Sequence, residues 1–132
     1  MKIKAVYLQA GKPIKPEVIE IDDRDNLNEL YRLLNCNAID VTYRQFCYNV
    51  YSVICDDEGA LKQCPITSAI NIRANQPIKT DLVGNLIVAG YPDMEGNLTD
   101  LDEDQIKEIL KTVITCEFSI AGKKNDCYVF VV

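Results

Sequence analysis

The sequence predicts an α+β domain: a mostly antiparallel central sheet with two main helices packed on it and a C-terminal β-hairpin. Two segments repeat their apolar residues with the helical period. Several others are short apolar or alternating runs of strand length, and short links join neighbouring strands as hairpins. At 132 residues the chain fits a single domain, 1–132, of the commonest domain size. A domain of this size buries roughly two-thirds of its unfolded surface, so it needs neither disulfide nor metal to hold a core. With 48% hydrophobic and 26% charged residues the composition is that of an ordinary soluble globule.

The elements follow in order. Segments 2–8 and 17–21 are apolar runs joined by the Gly- and Pro-containing AGKPIKP, and read as two strands. Leu27, Leu30, Tyr31 and Leu34 then lie on one helical face, and Asn26 with Glu29 has the spacing of a capping box. Segment 38–45 alternates, with Ile39, Val41 and Tyr43 on one side and Asp40, Thr42 and Arg44 on the other, as in a half-buried strand. Segments 48–55 and 86–90 are apolar on both faces, which suits strands near the centre of a sheet. Ile106, Ile109, Leu110 and Val113 mark a second helix, with Asp102 and Gln105 at capping-box spacing and Glu103 and Asp104 in the first turn, where the helix dipole favours acids. The segment 115–132 reads as a hairpin around GKKND; a turn centred there sets Cys127 opposite Ala121 rather than Cys116.

Charge and residue types narrow the function. A formal charge of −6 disfavours binding to a phosphate backbone, so no nucleic-acid partner is expected. No apolar run approaches the roughly 20 residues of a membrane span, and none at the start suits a signal peptide, so a cytoplasmic protein without a membrane partner is expected. In that compartment Cys36, Cys47, Cys55, Cys64, Cys116 and Cys127 should be reduced thiols, and with no C-x-x-C pair and no histidine they read as small buried hydrophobes rather than zinc ligands. No metal or cofactor is expected.

The acids of DDEG at 56–59 are consecutive and read as a turn that ends a strand. In DMEGN, an EF-hand alignment on Gly96 would place Tyr91 at the first ligand position, where a carboxylate is required. Nucleophilic catalysis lacks histidine as its usual base, and neither a phosphate-binding G-x-x-x-x-G-K-[ST] nor a G-x-G-x-x-G is present. No catalytic residue is assigned, and the expectation is a protein that is not an enzyme. What remains is binding. Seven tyrosines against three phenylalanines and no tryptophan supply flat faces with polar tips. The candidate ligand-binding residues are Arg44, Tyr48, Lys62, Thr67, Ser68, Arg73 and Tyr91: cations near a hydroxyl-bearing segment, with aromatic neighbours, that could hold a small anion.

The run VICDDEGALKQCPITSAI, then DLVGNLIVAGYPD, then LDEDQIKEIL resembles a family of small proteins of phages, plasmids and conjugative elements known as domain of unknown function 3846. The family pattern has an N/D-E-E-G-K/A-L turn, an LP-x-N-R-A segment, an I-x-G-x-x-(L/I)-(I/V)-x-G strand and a helix like LTDEQIEK. Here these correspond to 56–61, 64–69, 82–90 and 101–107, within a family-like core of 1–114 followed by the hairpin as an extension. Thr67 and Ser68 stand where the family pattern has Asn-Arg. The resemblance implies a mobile-element protein acting against bacterial defence in the host cytoplasm. On that basis the expected function is to sequester a small anionic nucleotide signal without catalysis, at a subunit interface of a homo-oligomer. The alternative is an inhibitor whose acidic surface binds a basic host defence protein.

Overall fold

The computed structural model describes residues 2–9, 16–22, 24–46, 49–59, 71–72, 82, 84–120 and 123–131. Its first sheet takes β1 (Lys2–Leu8), β2 (Glu17–Asp22), β3 (Ile39–Phe46), β4 (Asn49–Asp56) and, beyond the two-residue β5 (Asn71–Ile72), β6 (Leu86–Gly90). The strand order is β2-β1-β6-β4-β3, and every neighbouring pair is antiparallel. Helix α1 (Leu27–Leu34) lies between β2 and β3 in sequence, and α2 (Glu103–Thr112) leads into β7 (Val113–Ile120) and β8 (Lys123–Val131). The architecture is α+β, in one domain. No helix among the described residues is long and apolar enough to cross a membrane.

The sheet separates two apolar layers, one under each helix. Because side chains alternate along a strand, β4 sends Tyr51, Val53 and Cys55 to one face and Ser52, Ile54 and Asp56 to the other. The first set packs with Val6, Leu8, Leu86, Val88 and Ile109, so α2 covers that face. Ile54 packs instead with Ile3, Ala5, Ile21, Ile87 and the α1 residues Leu30 and Leu34. Strand β6 sits in the middle and is buried at all five positions, which accounts for its lack of a polar face.

Each helix has a different start. Asp102 caps α2 in a reciprocal box: its carboxylate accepts from Gln105 N–H at 2.8 Å, and Gln105 Oε1 accepts from Asp102 N–H at 3.0 Å. The box expected at Asn26 is absent. Asn26 has helical backbone angles (φ −113°, ψ −6°) and makes no side-chain cap bond, because a capping side chain meets the N–H groups ahead of it from an extended backbone. Asp102→Ala should therefore lower stability by about 1 kcal/mol, and Asn26→Ala by less than about 0.5 kcal/mol, as urea denaturation midpoints would record. Equal losses would contradict this assignment.

Other expectations need correction. Leu27 is 47% exposed in the first turn of α1, so only part of the periodic face is core. Val41 and Tyr43 are exposed because β3 is the edge strand and the α1-side core ends at Ile39. In the second sheet, order β5-β8-β7, the β7–β8 ladder places Cys116 opposite Cys127 and Ile120 opposite Lys123. The connection is thus shorter than a turn centred on GKKND, which would have paired Cys127 with Ala121.

Candidate functional site

Three short acidic stretches, DDRD, DDEG and DMEG, do the same local work. In each, an aspartate oxygen accepts backbone N–H groups just ahead of it and closes a turn. Asp22 Oδ1 accepts from Arg24 and Asp25 N–H at 2.9 and 3.1 Å, and these bonds hold its carboxyl below the usual range. Asp56 accepts from Glu58 N–H at 2.9 Å while Gly59 N–H bonds the Asp56 carbonyl, so DDEG is the turn that ends β4. Asp93 Oδ1 accepts from Glu95 and Asn97 N–H, both at 2.9 Å, and Gly96 takes φ +83°. Among the described residues no group of Cys, Asp and Glu is arranged to hold a metal ion.

Two of these turns frame a cleft on the α1 face of the sheet. The Asp22 turn presents Arg24 and Asn26, and the Asp93 turn presents Gly96, Asn97 and Leu98. Between them lies an apolar floor of Leu30, Ile39, Val41 and Ile54. The cavity volume is about 170 Å³, below the roughly 300–1,000 Å³ of sites that enclose a whole small molecule, so the cleft is sized for one end of a ligand. One guanidinium and two amides over an apolar floor can pair with an anionic group and hydrogen-bond a polar ring edge. Two positions along β3 from Val41, on the same face, Tyr43 meets Tyr91 with ring centroids 5.3 Å apart and planes tilted by 45°. Both rings stay half exposed, at 50% and 56%. Thr99 Oγ1 donates to the Tyr91 carbonyl at 2.7 Å and anchors that ring's backbone. The pair presents two tilted, half-exposed aromatic rings beside the cleft.

The opposite face carries a different polar group. Arg44 is paired with Tyr51, whose side chain lies in the α2-side core. Tyr51 O–H donates to Glu108 Oε1 at 3.3 Å, and Asn49 Nδ2 donates to both Glu108 oxygens at 3.5 and 3.4 Å. Burial, and then the Glu108 charge, push the Tyr51 phenol well above its usual pKa. It is therefore a fixed donor at neutral pH, tying α2 to the β3–β4 hairpin. Burial, with Asp40, Asp56 and Asp57 around it, pushes the Cys55 thiol up to about 11. This thiol stays protonated, and Sγ donates to the Asp40 carbonyl at 3.7 Å.

The residues singled out from sequence are distributed unevenly. Arg44 and Tyr91 fall on opposite faces of the sheet, since Arg44 pairs with Tyr51 and the Tyr91 ring packs against Tyr43. Tyr48, Lys62, Thr67, Ser68 and Arg73 lie outside the described residues. Arg24, Asn26, Tyr43 and Asn97 were not anticipated. The signal that could have found three of them is the repeated aspartate turn, since DDRDN and DMEGN both end on an asparagine that the turn delivers to the cleft.

A family model described as Domain of unknown function (DUF3846) matches residues 1–114. No curated protein and no solved structure matches the chain.

Proposed function

This chain belongs to the DUF3846 family, and on that premise we propose that it sequesters a small anionic nucleotide without catalysis, as a mobile-element protein acting against a nucleotide signal of bacterial defence. The observation that carries the reading is the cleft between the Asp22 and Asp93 turns, with the exposed Tyr43–Tyr91 pair beside it. Arg24 supplies a charge for a phosphate, Asn26 and Asn97 supply donors and acceptors for a base edge, and the tyrosine faces supply a stacking surface. The mobile-element setting comes from the family resemblance.

The test is depletion followed by recovery. Purified protein is incubated with cyclic mononucleotides, cyclic dinucleotides and ADP-ribose-type signals. Free ligand is measured, and the protein is then heated to release what it holds. One of these ligands should be depleted at micromolar protein and recovered intact. Tyr43→Ala should weaken retention about fivefold or more, the effect of losing one stacked base. Arg24→Ala should weaken it by a similar factor. No depletion of any ligand would end the proposal, and recovery of cleaved product would end its non-catalytic part.

The protein also carries a strongly acidic surface. Asp93, Glu95, Asp100, Asp102, Glu103 and Asp104 are exposed carboxylates within twelve residues, with no Lys or Arg among them. Such a surface suits a basic protein partner, whose binding would weaken steeply with salt.

A further inference from the structure

We propose that the outer edge of β3 is a dimerisation surface: two copies pair β3 with β3, antiparallel, about a two-fold axis through Thr42. Among the described residues β3 has β4 on one side and no strand on the other. The N–H of Val41 bonds the Asp40 carboxylate at 3.0 Å rather than a carbonyl of β4, so its peptide group faces outward. By the alternation of an antiparallel ladder the peptide groups of Ile39 and Tyr43 face the same way. Protein edges are usually blunted by Lys, Pro or a bulge. This one instead presents Val41 and Tyr43, 37% and 50% exposed, on the α1 side.

The sequence of the strand selects both the occupant and the register. A two-fold pairing must set the outward-facing odd positions against one another, so the axis passes through Val41, Thr42 or Tyr43. An axis at Val41 puts Asp40 opposite Thr42, and one at Tyr43 puts Arg44 opposite Thr42. Only the axis at Thr42 puts Asp40 opposite the other copy's Arg44, and it does so twice. Both side chains lie on the α2 face, since their partners on β4 are Cys55 and Tyr51. On pairing, the Val41 N–H passes from the Asp40 carboxylate to the other copy's backbone, and the carboxylate turns to the arginine. The same register sets the other copy's Tyr43 beside Val41, which lines the cleft, so each cleft gains an aromatic wall from its neighbour. That last consequence deepens the function proposed above and rests on it. The dimer itself forms without ligand, so the two proposals fail separately.

The 132-residue chain is examined without ligand by analytical ultracentrifugation over the micromolar range, where a reversible dimer is expected. Arg44→Asp sets like charges opposite each other at both pairs and should raise the dissociation constant about tenfold. Adding Asp40→Arg to that variant should restore the original value. Thr42→Cys should cross-link to the same position of the second copy under mild oxidation with copper phenanthroline, identified by peptide mass, because facing residues at such a site are about 4.5 Å apart between Cα atoms. Asp57→Cys, exposed in the turn after β4, should not. Circular dichroism checks that each variant is folded, and the Thr42→Cys cross-link decides the matter if Arg44→Asp is not. A monomer throughout the range would overturn the proposal. So would a dimer without the cross-link at position 42, or one indifferent to the charge reversals.

Discussion

Gly90→Ala is expected to destabilise the protein by about 3 kcal/mol, at the upper end of what overpacking usually costs. A Cβ at this position would stand 2.8 Å from the Thr99 carbonyl oxygen and closer still to Thr99 Oγ1. Neither atom can withdraw cheaply. The Thr99 carbonyl accepts from Gly90 N–H at 3.2 Å, its hydroxyl is committed to the Tyr91 carbonyl, and Ser52 Oγ donates to the Gly90 carbonyl at 3.0 Å. The segment after Thr99 is fastened in turn to β1, through Lys4 N–H to Asp100 Oδ1 at 2.6 Å and Leu101 N–H to the Lys4 carbonyl at 3.2 Å. Gly96→Ala is the control. Its Cβ would meet nothing within 4 Å, so only the positive φ of +83° opposes it, at about 1 kcal/mol. Urea unfolding of both variants separates the two effects. An unchanged midpoint for Gly90→Ala would mean that the 99–101 segment is not held against the sheet.

Ile109→Ala is expected to cost about 3 kcal/mol and its neighbour Leu110→Ala less than about 0.5 kcal/mol. Ile109 is fully buried between α2 and the β4–β6 face, whereas Leu110 is 40% exposed. The periodicity of the helix places both on one apolar stripe and offers no means of ranking them. A short helix on a flat sheet buries only the centre of its stripe, and Leu110 lies at the flank. Thermal or urea unfolding of the two variants measures the difference, and similar losses would show that α2 is rotated relative to this packing.

The two glycines of the LVGNLIVAG run serve different purposes. A close backbone approach is one explanation for two glycines bracketing a strand. The structure assigns that explanation to Gly90, while Gly84 is needed for its φ of +79°. Asn85 in the same run ties the elements together: its Nδ2 donates to Tyr7 Oη and to the Leu33 carbonyl, both at 3.0 Å, and Tyr7 O–H donates to Leu33 O at 2.8 Å. A carbonyl left over in the last turn of α1 is thereby satisfied from β1 and from the residue just before β6. No local pattern identifies Asn85 as that donor, because its partners are 78 and 52 residues away in the chain.

The candidate site divides in the same way. The aspartate turns are local, and DDEG was legible as one because an acid that accepts its own downstream N–H groups needs no help from the rest of the fold. Arg44 and Tyr91 looked like members of one site, yet they belong to opposite faces. Which face a residue joins depends on the parity of its strand's register, and a single-residue shift in either strand would have reversed the answer.

By itself the sequence determined the α+β class, the α2 cap at Asp102, the buried character of β4 and β6, the turn at Asp56–Gly59 and the family. All of these are written in short-range spacing, where hydrophobic period and hydrogen bonds between near neighbours decide the outcome. Tertiary structure alone decided that β3 lies at the edge with Val41 and Tyr43 uncovered, that α1 begins without a side-chain cap, and that Arg24, Asn26 and Asn97 surround one cleft. Those outcomes depend on strand order and on which face each helix covers, and the free energy that selects them comes from contacts between residues far apart in the chain.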